Sequence, residues 1–296
     1  MRTHAFAAFL ASTAAVLAVA ACGSSPASSG SASSGTPSNS ALHAQLPPSI
    51  RSSGTMTMAA DGTIGYPWAL ITTGGKIYGL DVNLADAIGQ ELGVTINVKQ
   101  VAFANLIPGI QSGRYDFSIS AQNDTEAREK VVSFVDFIND GSGFLVQASS
   151  TLKHLSLSND LCGLTVGVLA GSTEQLDIQK QATTCASAGK AKVTEDVYSS
   201  NPAGILALES GRVQVYDGDA LENAYISKQP GTKVTQSGLP YGVAPVGIVI
   251  AQGSPLLSIF QKALQDLINS GKYAQILGTY GAQVGAEKVV TINHAP

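Results

Sequence analysis

From about Thr55 onward, apolar and polar positions alternate between strand-like and helix-like periods. Met56-Thr-Met-Ala-Ala leads as a strand to Asp61, a loop carries Tyr66 and Trp68, and Thr73-Gly-Gly makes a turn. Val82, Ala85, Ile88 and Leu92 share a helix face that Gly93 closes. Leu106, Ile107 and Ile110 repeat that spacing, and Gly113 stops the second helix. Phe117-Ser-Ile-Ser alternates as a short strand. After it Ala121-Gln-Asn-Asp turns into another helix, capped by Asp124 or Thr125, whose first turn carries Glu126, Arg128 and Glu129. Further on, residues 143–147 and 165–170 read as apolar strands, and Ser172 to Gln175 fits the capping box that starts a helix. Residues 201–212 form a helix ending in Ser-Gly-Arg, as residues 112–114 do, and the strand after it delivers Asp217-Gly-Asp219. Residues 241–250 return as a strand. Pro255 opens a helix with Leu256, Ile259, Phe260, Ala263 and Leu267 on one face, and Tyr273 begins the last one. This alternation predicts an α/β fold.

The start of the chain follows other rules. Residues 1–21 carry Arg2, an apolar run and small residues at the exit, which predicts a secretory signal. The run is short for a membrane span. Residues 22–50 begin rich in serine, glycine and proline without charge, so they predict a flexible tether. The remaining chain is long enough for two lobes. Charged residues make up 13% with a net charge of −4, and no basic run occurs, so nucleic acid is not an expected partner. The four histidines His4, His43, His154 and His294 sit in no zinc, serine-elbow or phosphate-loop pattern, so no metal or cofactor is expected.

Two turns are candidate anion sites. At residues 117–128 a strand end meets a helix N-terminus, where α/β proteins bind ligands. Free amides there favour an anion, and Arg128 offers a planar two-pronged donor for a carboxylate. A surface pairing of Arg128 with Glu126 or Glu129 is the alternative. Ser172 and Thr173 begin the second such turn.

Residues 112–137, with Ser-Gly-Arg-Tyr-Asp and Thr125-x-x-Arg128-x-Lys130-x-Val132, resemble the signature of bacterial extracellular solute-binding proteins for amino acids, family 3. The likeness runs in order from about Thr55 to Gly281. It departs at Ala121, Asn123 and Ala127, where the family usually has glycine, threonine and glutamate. The resemblance implies a two-lobed periplasmic-binding-protein type II fold with ligand in the interlobe cleft and a hinge of two crossing strands. Lobe one would be residues 51–143 plus 249–296, and lobe two residues 144–248. It also implies roles: Arg128 and the Thr173 amide for the ligand carboxylate, and Asp219, eight residues after Gly211, for the ammonium, with Asp217 as local rival. Phe103 and either Tyr66 or Trp68 would be aromatic walls, with core packing as the alternative. Ala121, Asn123 and Ser172 would line the site. Asp61 would meet a polar side chain or else cap its strand. The implied function is capture of an amino acid, polar by the Asp61 match, by a monomer that feeds an ABC permease. A receptor-coupled sensor and a dehydratase-like lyase on the same fold are the alternatives. Val19-Ala-Ala-Cys22 resembles the bacterial lipobox, which implies an exported protein anchored by a lipid on Cys22 to the outer membrane face. Of three cysteines, that leaves Cys162 and Cys185 to pair.

Overall fold

The computed structural model describes residues 39–296. Cys22, the expected signal and most of the expected tether lie outside the described residues. The tether boundary at residue 50 is corrected by two short helices, α1 (Ser40–Gln45) and α2 (Pro48–Ser53). Asn39 caps the first through the Leu42 amide, and Gly54, at φ +65°, ends the second. Leu42, Leu46 and Ile50 are buried in the lobe-one core, and the His43 ring lies 2.7 Å from the Leu92 carbonyl. Composition suggested a tether because the serine-rich run ends just where these three apolar residues begin.

Lobe one continues with β1 (Thr55–Ala60), β2 (Leu70–Ile71), β3 (Ile77–Tyr78), α3 (Leu80–Leu92) and β4 (Thr95–Gln100). A single turn at Phe103–Asn105 leads into α4 (Leu106–Gln111), then β5 (Phe117–Ser118) and α5 (Glu126–Glu129). Strand β6 (Val132–Gln147) then crosses into lobe two. There the chain forms β7 (Thr165–Leu169), α6 (Thr173–Ser187), β8 (Thr194–Tyr198), α7 (Asn201–Glu209), β9 (Val215–Asp219) and α8 (Ala220–Ile226). Strand β10 (Val234–Ala251) returns, and α9 (Leu256–Asn269) and α10 (Lys272–Tyr280) complete lobe one.

The strands lie in the order β4-β1-β5-β10-β6-β9-β7-β8. At one end β4 and β5 run parallel to β1, and at the other β8 and β9 run parallel to β7. Between them β6 and β10 pair antiparallel through both lobes, from Val132 opposite Ala251 to Gln147 opposite Val234. Their register shifts between Ser237 and Tyr241 and again before Ala244, beside Gly141 and Ser142. The crossing strands are therefore irregular where the lobes meet, as a hinge requires.

Each lobe has its own core. On α9, Leu256, Ile259, Phe260, Ala263, Leu264 and Leu267 are buried against α3 and the lobe-one sheet. In lobe two, Phe144, Val166, Val168 and Ile178 pack with Cys185, which is joined to Cys162 by a disulfide. Each fully buried Leu, Ile or Phe contributes about 1.5–3 kcal/mol, which holds the parallel strands against their helices.

Leu46, only 2% exposed, tests the folded start of the chain. Leu46→Ala should lower stability by about 2–5 kcal/mol in urea denaturation, as cavity-forming core substitutions do. A tether residue would show no change.

Candidate functional site

The parallel strands of both lobes end at the cleft, and the loops that follow them face each other across it. After β5, Thr125 accepts the Arg128 amide at 3.2 Å and starts α5, so Thr125 rather than Asp124 is the cap. After β7, Ser172 accepts the Gln175 amide at 3.2 Å and starts α6. After β9, Asp219 accepts the Glu222 amide at 2.9 Å and starts α8. Three capped helix starts thus converge.

A cavity of about 30 Å³ lies between them, lined by Phe103, Ala121 and Asn123 from lobe one and by Ser172, Thr173 and Asp219 from lobe two. It is about the size of one water molecule, so the lobes are closed on each other. Arg128 spans the closure: Nη1 donates to the Asn123 carbonyl at 2.8 Å, and Nη2 to the Gly171 carbonyl of the other lobe at 3.1 Å. Its guanidinium also lies 5.9 Å from the centre of the Phe103 ring. Thr173 donates its hydroxyl proton to Asn123 Oδ1 at 3.2 Å, and Asn201 Nδ2 to the Ile64 carbonyl at 2.8 Å. Two glycines make this approach possible. A Cβ on Gly65 would lie 2.1 Å from Glu222 Oε1, and one on Gly171, at φ +80°, would lie 3.0 Å from Ala104 Cα. Ala121 adopts φ +48°, the left-handed backbone that suits the family's glycine and costs an alanine about 1 kcal/mol or more.

Four expected residues do not line the cavity: Arg128, which is bonded at its rim to the Asn123 and Gly171 carbonyls, and Trp68, Tyr66 and Asp61. Trp68 is fully buried in the lobe-one core, because the loop before it folds back and pairs Gly65 with Ala69. Tyr66 reaches lobe two but stacks on Tyr225, ring centres 4.0 Å apart, outside the cavity. Asp61 is buried. It accepts the Phe103 and Thr63 amides, the Thr63 hydroxyl and Gln100 Nε2, all within 2.9 Å. Three donors meet Oδ1 and the Phe103 amide meets Oδ2, so Asp61, 1% exposed, holds the Phe103 turn in place.

The cleft is dominated by carboxyls, of which the sequence singled out Asp219 and its rival Asp217 but not Glu174, Glu222, Asp140 or Asp81. Glu174 and Asp217 line the cavity, with Asn201, Ile64 and Leu169. Glu174 accepts the Ser142 hydroxyl at 2.6 Å, Asp217 the Tyr241 hydroxyl at 2.5 Å, and Glu222 the Asn201 amide nitrogen at 2.5 Å. Behind Asp219 stand Asp140 and Asp81, both buried. Burial, then the neighbouring Asp219, pushes Asp81 up to about 8 and Asp140 up to about 10. Burial also raises Asp219 itself, and raises Asp217 and Glu222 well above their ordinary values, with Glu174 and Asp219 respectively adding to it. Burial pulls the Arg128 guanidinium down, while Glu174 and Asp124 pull it back. Among the described residues the ion pairs are Lys180–Asp177 and Arg212–Asp196, both on the surface, and Arg128 is in neither. The cleft therefore gathers more acid than its one guanidinium, at the rim, can answer.

Residues 56–283 match the description of bacterial extracellular solute-binding proteins, family 3. The chain belongs to that family. It is similar to the arginine-binding protein ArgT of Corynebacterium glutamicum, 25% identical over 86% of this chain and 83% of the relative. The L-arginine-binding protein of Pseudomonas aeruginosa is 28% identical over 72% of this chain and 83% of its own length. Among solved structures, an ancestral arginine-binding protein bound to arginine superposes with a TM-score of 0.70 and 31% identity, over 77% of this chain and 98% of its own. This solute-binding protein thus has the two-lobed type II architecture of its family.

The buried acids give a direction for pH. Asp81 ordinarily titrates near 3.8 and here near 8, so between those values the folded form holds a proton that the unfolded chain has lost. Stability is then complete below about pH 4 and is lost as pH rises towards 8, by about 1.4 kcal/mol per pH unit for each such group. The urea midpoint of the ligand-free protein should fall between pH 5 and pH 8. A constant or rising midpoint would mean that these carboxyls are charged in the fold.

Proposed function

We propose that this protein captures an amino acid with a cationic side chain, arginine first, in the interlobe cleft and delivers it to the permease of an ABC importer. The observation that carries this reading is the imbalance of the cleft. Arg128 is the cation at the cavity's rim, where Glu174 and Asp124 act on its charge, while Glu174, Asp217 and Asp219 line the cavity with Asp81, Asp140 and Glu222 behind. A neutral amino acid brings one charge of each sign and leaves that surplus unanswered. An amino acid with a cationic side chain brings a second positive charge, and desolvated carboxyls that hold protons in its absence are free to ionise against it.

In this reading Arg128 and the Thr173 amide hold the α-carboxylate, Asp219 the α-ammonium, and Phe103 packs along the ligand, with Ala121, Asn123 and Ser172 around it. Asp217 and Glu174 take the side-chain cation. The names of the arginine-binding relatives support the choice. Because partners come from opposite lobes, ligand stabilises the closed form by contacts that exist only when it is closed. We read the protein as a monomeric carrier and not an enzyme, since contacts with one charged amino acid occupy the charged groups of the cleft. Cys22, behind Val-Ala-Ala, is assigned as a lipid anchor on the outer membrane face, with the serine-rich stretch as the tether that lets the domain reach its permease.

A thermal-shift panel of all amino acids on residues 39–296, followed by calorimetry with arginine and citrulline, tests the ligand. Arginine should bind, and the neutral isostere citrulline should lose at least tenfold, about 1.4 kcal/mol. Equal binding of the two would overturn the cationic class. Arg128→Ala and Asp219→Ala should each cost about 3–5 kcal/mol of binding by leaving a buried charge unpaired.

The anchor is tested on the exported protein. Mass spectrometry of the mature N-terminus should find a diacylglyceryl group on Cys22, and Cys22→Ser should release the protein from membranes with unchanged affinity. Cleavage at any other residue would rule the anchor out.

A further inference from the structure

The loop that presents Arg128 is held from two sides. On the hinge side the Asp124 amide donates to the Pro245 carbonyl at 2.8 Å, and the Gly247 amide to the Gln122 carbonyl at 3.1 Å. On the other side residues 291–295 run along β6. The Asp136 amide donates to the Thr291 carbonyl at 3.0 Å, the Thr291 hydroxyl to Asp136 Oδ2 at 3.1 Å, and the Phe134 amide to Asn293 Oδ1 at 2.8 Å. Asn293, at φ +50°, then turns the chain into the loop. The His294 amide donates to Asp124 Oδ2 at 2.8 Å, and the Ala295 amide to Glu129 Oε1 at 3.0 Å. Those two acids flank Arg128, whose Nη1 rests on the carbonyl of Asn123, next to Asp124.

We propose that residues 291–295 and Asp124 form a clasp that positions Arg128, with Asp124 as the positioning residue at its centre. This rests on the reading of Arg128 as the ligand-carboxylate donor. Asp124 Oδ1 and Asp136 Oδ1 are both buried with no N–H or O–H donor. Two such buried carboxyls acting on each other resist carrying two charges. Burial, then Asp136, then Glu129 push Asp124 up to about 8, against the His294 amide. Burial pushes Asp136 up to about 6, opposed by Thr291 and His294. At neutral pH Asp136 is therefore charged, and Asp124 is a neutral acid able to hydrogen-bond Glu129. The groups facing Asp124 are Asp136 on β6, Glu129 and Arg128 on α5, and His294 on the clasp. Across the adjoining cavity of about 410 Å³ stand Glu126, Lys130, Asp177 and Lys180. Above about pH 8 Asp124 and Asp136 are both charged. Their repulsion, with that of Glu129, then loosens the loop from the clasp.

The mature protein, Asp124→Asn, Asp124→Ala and a chain ending at Asn293 are compared by arginine calorimetry from pH 6.5 to 9.5. Amide hydrogen exchange on the ligand-free forms is measured alongside. Asparagine keeps an acceptor for the His294 amide and cannot ionise. Asp124→Asn should therefore bind within about threefold of wild type at pH 7, and wild type should lose at least tenfold relative to it by pH 9.5. Taking the ratio removes the effect of deprotonating the ligand. The truncated chain and Asp124→Ala should be at least tenfold weaker already at pH 7. Protection of amides 125–129 should fall above pH 8 in wild type relative to Asp124→Asn. Affinity curves that run parallel for wild type and Asp124→Asn, or a truncated chain that binds like wild type, overturn the clasp. If no variant binds any amino acid, the cleft reading fails by itself and exchange alone decides the clasp, which a pH-independent protection ratio overturns.

Discussion

The closed molecule turns on one guanidinium placed between two lobes. Arg128 gives one nitrogen to the backbone of its own loop and the other to Gly171 across the cleft, while burial works against its charge. A half-buried cation is stable where acid or carbonyl oxygen answers it, and here both do. The helix starts at Thr125, Ser172 and Asp219 bring their loops to that point, and the glycines at 65 and 171 let the backbones come close enough. In this architecture the contacts that close the cleft come from both lobes, so closure depends on donors and acceptors of both.

The carboxyls around Arg128 account for the character of the cleft. Asp217, Glu222, Asp140 and Asp81 are buried in two lobes and in the hinge strand, and beyond burial a neighbouring carboxyl, Asp219 or Glu174, raises the proton affinity of each. Such a cluster costs stability in an empty protein, which natural sequences tolerate at sites where a ligand repays it. The long crossing strands make the arrangement movable. Their register breaks around Tyr241 and Ala244 and once more between Val246 and Gly247, so the irregular pairing lies at and beside the lobe junction, between two separate cores.

The candidate site was legible in the sequence where it depends on neighbours along the chain. A cap at Asp124 or Thr125, of which the structure uses Thr125, the cap at Ser172, Gly113 and Gly211 as helix stops, and Asp219 after a strand all follow from spacing within a turn or two, because capping and chain reversal involve residues three or four apart. The family register then placed Arg128, Phe103, Thr173 and Asp219 together, and the cleft does gather Phe103, Thr173 and Asp219 around one cavity, with Arg128 bonded to its rim. The long strand β6 was read only from residue 143. Asp136, Asn139 and Asp140 interrupt its apolar pattern, and both of its faces are covered, so no alternation marks it.

By itself, then, the sequence determined the α/β alternation, most of the longer helices and the residue types at three converging turns, and its likeness to the family implied the two lobes. The path of the chain decided the rest. Trp68 went to the core and Tyr66 to a stack on Tyr225, because the loop between Gly65 and Ala69 closes on itself. Asp61 was spent on the Phe103 turn, 42 residues away. Residues 40–53 docked on lobe one, and residues 291–295 reached Asp124 across a separation of 170 residues. Local propensity acts over one turn of helix or one strand pair. Which buried carboxyls meet, and which amide answers them, is set only when packing of the apolar faces brings distant segments to within hydrogen-bonding distance.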